Sequence, residues 1–368
     1  MPVSHEQRLA RLAWARLVEP GDAEAAAFLA QVGAEQAWHE VRAGAGPARW
    51  RARLADVVPE RDLEVTHRLG ARVLVPGDEE WPACLDDLGP AAPVCLWVRG
   101  PARVDELVAR SVSVVGCRAC SSYGEHVTTE LGSGFALRGV AVVSGGAYGI
   151  DACAHRVALA AGGATLAVLA CGVDRIYPRG NDSLLREVAA RYALVSELPP
   201  GSAPTRWRFL ERNRLIAALT PVTVVVEAAW RSGALSTARR AADLGRLVAA
   251  VPGPVTSATS AGPHALIRDG ATCVTDVDEV LELVAPLSAP ADPAPATGVR
   301  VARAMVHDGL DAAALRVFDA LPLRRGVPAE ALARTSGLDT STVRALLARL
   351  ELSGHAGYEG GLWRRRQA

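Results

Sequence analysis

Six runs of consecutive apolar residues, each followed by a segment of helical period, occupy the middle of the chain. The runs are rich in β-branched residues and do not alternate with polar ones, which is typical of strands covered on both faces of a parallel sheet. This pattern predicts an α/β domain with an extended, doubly wound, Rossmann-like sheet. The predicted strands are Val112–Val115, Val140–Val143, Thr165–Leu169, Leu194–Glu197, Val222–Glu227 and Leu247–Val251. The helices between them are predicted at Glu125–Leu137, Ile150–Ala160, Ser183–Arg191, Phe209–Leu219 and Leu235–Ala242.

The flanking segments have different patterns and predict further modules. Residues 1–70 carry apolar residues at helical spacing and predict a small helical module of the SAM or helix-hairpin-helix kind. Residues 71–287 form the Rossmann-like domain, and residues 288–304 form a Pro/Ala linker. Residues 305–368 predict three helices and a hairpin around Gly360 and Gly361, which is a winged-helix-like module. Whether that module contacts DNA or docks on a protein stays open.

Composition narrows the class of protein without deciding its function. Half of the 368 residues are hydrophobic, the formal net charge is zero, and all forty basic residues other than histidine are arginine. The N-terminal residues have no secretory pattern and no apolar run is long enough for a bilayer, so we expect a cytoplasmic protein with no membrane contact. Seven cysteines at irregular spacing predict reduced thiols. Cys117 and Cys120 are interpreted as turn residues, and no metal or cofactor is expected.

The glycine-rich stretch after the second predicted strand is the first candidate site. Residues 144–151 read Ser-Gly-Gly-Ala-Tyr-Gly-Ile-Asp, at the junction of a strand and a helix. Glycines allow a ligand to approach the backbone, and a helix N-terminus attracts anions. A tight turn without a ligand explains the glycines equally well. Asp151 and His155 lie four residues apart on one helix face, but capping of its own turn is the simpler role for Asp151.

Arginines and aromatic residues gather in the loops that follow the strands. In a doubly wound sheet, ligands bind beyond the carboxyl ends of the strands, where these loops lie. Guanidinium groups match phosphate oxygens, and aromatic rings between them stack on the bases of single-stranded nucleic acid. We expect Trp207 to cap the core, whereas Phe209 either stacks on a base or joins the core. The arginines are Arg118, Arg206, Arg208, Arg212, Arg214 and Arg231, and the aromatic residues are Trp207, Phe209 and Trp230.

Two common nucleotide motifs are missing from the chain. No Gly-x-Gly-x-x-Gly follows the first strand, which argues against an ordinary dinucleotide site. Because the chain has no lysine, a P-loop ATPase is excluded.

The order of motifs along the Rossmann-like region resembles the DNA-processing protein DprA (Smf) family. The first motifs are Gly-Cys-Arg at 116–118 and Ser-Gly-Gly-Ala-Tyr-Gly-Ile-Asp at 144–151. Next come Leu-Ala-Cys-Gly-Val-Asp at 169–174, Phe-Leu-Glu-Arg-Asn-Arg at 209–214 and Arg-Ser-Gly at 231–233. The chain departs from the family pattern at Cys117, where a hydroxyl residue is usual, at Leu210, which replaces a proline, and at Ala170 and His264.

The resemblance implies a homodimeric protein that binds single-stranded DNA, protects it and loads the recombinase RecA during DNA uptake, transformation and recombination. It implies no catalytic activity, and single-strand-binding protein as a further partner. Phe209 would stack on a base and Arg206 would contact the backbone. The implied DNA- and phosphate-binding residues are Gly116, Arg118, Ser144, Gly145, Arg206, Phe209, Arg212, Asn213, Arg214, Arg231, Ser232 and Gly233. The alternative is a Rossmann-like hydrolase of nucleoside monophosphates, although the Pro-Gly-Gly-x-Gly-Thr loop of such enzymes is absent here.

Overall fold

The computed structural model describes residues 3–230, 232–284, 310, 312–322, 326–336 and 338–366. The predicted linker at 288–304 and the candidate residue Arg231 lie outside these ranges. The chain divides into two compact units, residues 1–287 and 288–368. No helix in the described part is long and apolar enough to cross a membrane.

A nine-stranded sheet in the order β1-β2-β6-β5-β4-β3-β7-β8-β9 forms the centre of the first unit. β1 pairs antiparallel with β2, and β2 pairs antiparallel with β6. The other six strand pairs of this sheet are parallel. The predicted doubly wound α/β fold is therefore confirmed. The strands are β1 Ala71–Leu74, β2 Leu96–Arg99, β3 Ser111–Val115, β4 Ala141–Ser144, β5 Thr165–Val168, β6 Ala193–Ser196, β7 Val222–Val225, β8 Leu247–Ala250 and β9 Thr272–Cys273.

Among the described residues, five α-helices precede the sheet, seven lie between its strands and one follows β9. The first five are α1 His5–Leu17, α2 Ala23–Val32, α3 Ala34–Arg42, α4 Ala48–Arg53 and α5 Pro59–Arg68. The others are α6 Val104–Ala109, α7 Ser122–Leu137, α8 Ile150–Ala160, α9 Asp182–Arg191, α10 Arg206–Ala218, α11 Gly233–Asp243, α12 Ala261–Arg268 and α13 Val277–Val284.

Three of these helices begin two or three residues earlier than predicted, because a hydroxyl side chain caps each of them. Ser121 accepts a hydrogen bond from the backbone of Gly124 at the start of α7, and Thr205 accepts one from Arg208 at the start of α10. Ser232 does the same for Ala234 at the start of α11. Such caps satisfy N–H groups that the first helical turn leaves unpaired. The earlier starts make Arg206 and Gly233 the first residues of their helices.

The two faces of the sheet bury separate hydrophobic clusters, because successive strand residues point to opposite sides. In β3, Val112 and Val114 pack with Phe135 of α7 on one face. Val115 packs on the other face with Ile216 of α10. Both faces are thus covered by helices, as continuous apolar strands require.

The N-terminal helices have a small core of their own and also pack against the antiparallel edge of the sheet. Trp14 and Trp50 lie edge to face in that core, with ring centroids 5.1 Å apart. Leu12 of the same segment packs with Val73 of β1 and Trp97 of β2. The helical segment therefore covers one face of the β1–β2 pair.

The second unit contains three helices followed by a hairpin, as predicted. Its elements are α14 Ala312–Ala320, α15 Ala329–Ser336, α16 Thr340–Leu352, β10 Ala356–Glu359 and β11 Leu362–Arg365. β10 and β11 pair antiparallel around Gly360 and Gly361. Phe318, Leu332 and Leu347 join the helices in one hydrophobic cluster, which is a winged-helix arrangement.

Candidate nucleic-acid interface

A cleft of about 820 Å³ opens at the carboxyl ends of β3 and β7. The chain runs from β3 through β4 and β5 to β6 on one side of the sheet, and β7 returns to pair with β3 on the other. This reversal is the topological switch point, where α/β sheets bind their ligands. Gly116 and Arg118 line the cleft after β3, and Ala229 and Ser232 line it after β7. The cleft volume lies within the range of small-ligand sites.

Phe209 lies among three other cleft residues and belongs to none of the hydrophobic clusters. Its ring is partly exposed. The guanidinium carbons of Arg118 and Arg212 lie 5.4 and 5.8 Å from the ring centroid. The ring of Tyr177 lies 5.7 Å away, tilted by 54°. Of the two roles left open for Phe209, the core role is wrong, because the ring lines the cleft and is partly exposed there.

Arg212 is a buried cation with incomplete hydrogen bonding. Its Nη1 donates to the carbonyl oxygens of Gly145, at 2.8 Å, and Val168, while its Nε has no partner among the described residues. Burial lowers the pKa of Arg212 to about 10, against the opposing field of Asp151. Arg118 adds a second positive charge nearby. An anion bound in the cleft would offset the positive charges of Arg118 and Arg212.

Asp151 supports the glycine-rich turn rather than forming a catalytic pair. Its Oδ2 accepts the N–H of Ala147 at 3.4 Å, and burial raises the pKa of the Asp151 carboxyl. The Nδ1 of His155 lies 2.7 Å from the hydroxyl of Thr165. Burial lowers the pKa of His155 to about 3, so its ring is neutral. Asp151 is not the helix cap that was predicted, because Gly149 is the N-cap of α8 and no side chain caps that helix; the carboxylate bonds the preceding turn instead.

The loop that carries Arg118 is fixed by Glu227. Glu227 accepts hydrogen bonds from the backbone N–H of Ser121 at 2.9 Å and from its hydroxyl at 2.6 Å. Burial acts to raise the pKa of Glu227, but these bonds bring it below its ordinary value. The thiol of Cys117 faces Glu227 at 3.5 Å and the carbonyl of Ala119 at 3.1 Å. Burial first, then Glu227, raises the pKa of this thiol to about 12.

Arg214 does not belong to the cleft, although its motif placed it there. Its Nη1 and Nη2 each lie 2.6 Å from the carboxylate of Glu197, and its Nε donates to Ala91 O at 2.8 Å. Only 1% of its side chain is exposed. Burial acts to lower the pKa of Arg214, but the field of Glu197 raises it above its ordinary value. The prediction that Arg214 contacts phosphate is wrong, because this arginine is fully used inside the fold.

Ser144 and Gly145 do not line the cleft either. Ser144 is fully buried, and its hydroxyl donates to the carbonyl of Val114 at 2.6 Å, so it is unavailable to a phosphate. Gly145 supports Arg212 and does not line the cleft itself. Its carbonyl oxygen accepts a hydrogen bond from Arg212, and a side chain at position 145 would collide with that guanidinium.

The remaining candidates lie around the cleft, apart from Arg231, which is outside the described residues. Arg206 is exposed at the start of α10, and Asn213 donates its amide to Gly233 O at 3.3 Å. Gly116 lacks a side chain because Ile150 packs directly against it. The candidates brought together at the cleft are Gly116, Arg118, Arg206, Phe209, Arg212, Asn213, Ser232 and Gly233.

Two aromatic residues, Trp207 and Tyr177, lie where the sequence did not predict them. Trp207 does not cap the core, because 55% of it is exposed. Tyr177 lines the cleft beside Phe209 but was not among the candidate site residues. Its position in the loop after β5, one of the loops at the carboxyl edge, is the signal that could have identified it.

Comparison with known proteins adds independent information on this cleft. The sequence model described as DNA recombination-mediator protein A matches residues 72–285, which include every residue that lines it. The chain belongs to the DprA family. The model of the DprA winged helix domain matches residues 288–361. A Mycobacterium tuberculosis protein named as the DNA processing protein DprA is 45% identical over 96% of this chain and 93% of its own length.

Solved DprA structures agree with the fold. The X-ray structure of DNA processing protein A from Streptococcus pneumoniae aligns with a TM-score of 0.65 at 30% identity, over 78% of this chain and all of that one. The protein from Helicobacter pylori, reported for its single-stranded DNA binding mode, aligns with a TM-score of 0.52 at 28% identity. That match covers 59% of this chain and 96% of the H. pylori chain.

Proposed function

We propose that this DprA-family protein binds single-stranded DNA in the β3–β7 cleft without cleaving it. The observation that carries the proposal is the partly exposed aromatic ring of Phe209 beside the cations Arg118 and Arg212. Guanidinium groups bind the phosphate backbone and a ring stacks on a base, and neither contact reads base identity. Membership of a DNA-processing family and the ssDNA binding named for the H. pylori relative support it.

The chemistry of the cleft favours binding over hydrolysis. Among the described residues that line it, Asp151 is the one carboxylate, and it is occupied by backbone N–H groups and the field of Arg212. The thiol of Cys117 has a raised pKa and is therefore a poor nucleophile. Asp151 is nearly fully buried and its carboxylate accepts the backbone N–H of Ala147, which leaves it poorly placed to act as a general base on a substrate.

We further propose that the cytoplasmic protein acts as a homodimer that shields incoming strands during transformation and loads RecA onto them. We assign single-strand binding to residues 71–287. RecA loading is tested by following RecA filament formation on a strand coated with single-strand-binding protein. Adding the full-length protein should shorten the lag. An unchanged lag would restrict the function to binding.

The cleft itself is tested by fluorescence anisotropy of the full-length protein with labelled oligothymidylate at several salt concentrations. Arg118→Ala should weaken binding by about 1.5–3 kcal/mol, the range for hydrogen bonds to charged groups. It should also make the slope of log affinity against log salt less negative by about 0.7, because one phosphate contact is lost. Arg68→Ala is the matched control, since that side chain is 71% exposed on α5.

Phe209→Ala separates the stacking contact from the ionic one. Loss of one stacked base should cost about 1–3 kcal/mol of binding and leave the salt slope unchanged. A variant that melts far lower yet binds normally while folded would remove Phe209 from the site. Release of free base from nucleoside monophosphates would instead establish the hydrolase alternative.

A further inference from the structure

Two of the eight tryptophans in the chain are exposed, and both lie at the border of the cleft. Trp207 is 55% exposed and Trp230 is 65% exposed, whereas the other six are buried or partly buried. Large apolar side chains are costly to leave in water, so a pair of them at one place marks a contact surface. The proposed role of Phe209 accounts for neither tryptophan.

Trp207 borders the cleft from α10. It directly follows Arg206, which lines the cleft, and it lies three residues before Leu210, which also lines it and is 40% exposed. Residues three apart are neighbours on a helix surface, so Trp207 and Leu210 form a continuous apolar shelf next to the opening.

Trp230 borders the cleft from a different element, the loop between β7 and α11. Its neighbour Ala229 and the nearby Ser232 both line the cleft. The indole is therefore anchored at the rim while most of its surface faces solvent. The rim thus carries an exposed indole on each of two elements.

The charge around the rim favours a nucleic-acid occupant over a protein. Arg118 and Arg206 are exposed, and neither has a carboxylate within ion-pair distance in the described part of the chain. Single-stranded DNA suits such a rim, because its phosphates pair with arginines and its bases stack on exposed aromatic rings. A purely apolar protein surface would leave the two arginines uncompensated.

We propose that Trp207 and Trp230 are stacking platforms for the nucleotides that flank the one held in the cleft. The inference rests on the proposed single-strand binding and extends that site beyond the cleft. The rim then contributes to affinity through bases, while Arg118 and Arg206 contribute through phosphates.

The test compares oligothymidylate with an abasic oligonucleotide of the same length, which keeps the phosphates but has no bases. Trp207→Ala and Trp230→Ala in the full chain should each weaken oligothymidylate binding by about 5- to 150-fold, the equivalent of one lost stack. Neither should change affinity for the abasic strand. Trp207→Phe and Trp230→Phe should retain most of the affinity. Leu137→Ala is the control, because this side chain is 83% exposed on α7.

Tryptophan fluorescence gives a second measurement that does not depend on alanine variants folding. Oligothymidylate should quench the wild-type emission, and the quenching should be lost in the doubly substituted Trp207→Phe, Trp230→Phe protein. Persistent quenching there, or alanine variants that bind within twofold of wild type, would overturn the inference. A change in sedimentation mass with unchanged DNA affinity would do so too, by assigning the rim to a protein contact. If the wild type does not bind oligothymidylate at all, the proposed function itself fails. If it binds and Arg118→Ala weakens it while the tryptophan variants do not, only the extension fails.

Discussion

Arg214→Met distinguishes a structural arginine from the ligand-facing arginines of the same helix. The substitution removes the two 2.6 Å contacts to Glu197 and the 2.8 Å hydrogen bond to Ala91. It leaves the Glu197 carboxylate buried without its counter-charge. Breaking a buried ion pair by removing one partner costs about 3–5 kcal/mol of folding stability. At about 2–4 °C per kcal/mol for domains of 150–250 residues, the melting temperature should fall by roughly 6–20 °C.

Thermal melts by circular dichroism, run beside oligothymidylate titrations below the melting range, check this expectation. Arg118→Met is the matched comparison, because an exposed side chain without a carboxylate partner should change stability by no more than about 0.5 kcal/mol. Adding Glu197→Met to Arg214→Met should recover part of the lost stability, since no buried charge then remains unpaired. An Arg214→Met protein that melts like the wild type but loses DNA binding would refute the assignment of Arg214 to the interior.

Two further predictions concern the surroundings of Arg212. The pKa of His155 is about 3 in the fold against 6.5 for the free side chain, because burial opposes its charged form. The unfolded chain therefore binds a proton that the folded chain does not, and stability falls as the pH drops from about 6.5 towards 3. His155→Asn should make this fall shallower in urea unfolding series, and an unchanged pH profile would contradict the buried neutral ring. Gly145→Ala should displace the Arg212 guanidinium and lower both melting temperature and DNA affinity, whereas Gly233→Ala, which meets nothing within 4 Å, should melt like the wild type. Wild-type affinity in the Gly145→Ala protein would remove Arg212 from the site.

The sheet could be predicted from the sequence because its strands are short, continuous apolar runs. In all six predicted strands, each predicted end lies within two residues of the observed one. Helix ends were less accurate where a Ser or Thr cap starts the helix before its first apolar residue, as at Thr205. A cap depends on a hydrogen bond between one side chain and one backbone N–H. The spacing of hydrophobic residues therefore does not indicate where a capped helix begins.

The direction of individual side chains was the weakest part of the prediction. Arg212 and Arg214 share one motif, but residues two apart on a helix point about 200° away from each other at 3.6 residues per turn. Helix geometry alone could therefore have shown that both cannot face the cleft. The exposure of Trp207 could not be obtained this way, because it depends on what the neighbouring chain segments leave uncovered.

The two ends of the central sheet limit how copies of this protein can associate. β9, at one end, has two exposed residues, which is too short to template a strand from another molecule. At the other end, Arg8 of α1 donates a hydrogen bond to the carbonyl oxygen of Val73 in the edge strand β1 at 2.8 Å. Backbone-to-backbone growth of the sheet into a second molecule is thus disfavoured at both ends, which also protects the parallel strands from edge-to-edge aggregation. Any association between copies of this chain would then have to use side chains on helices and loops, which surface substitutions can remove without disturbing the sheet.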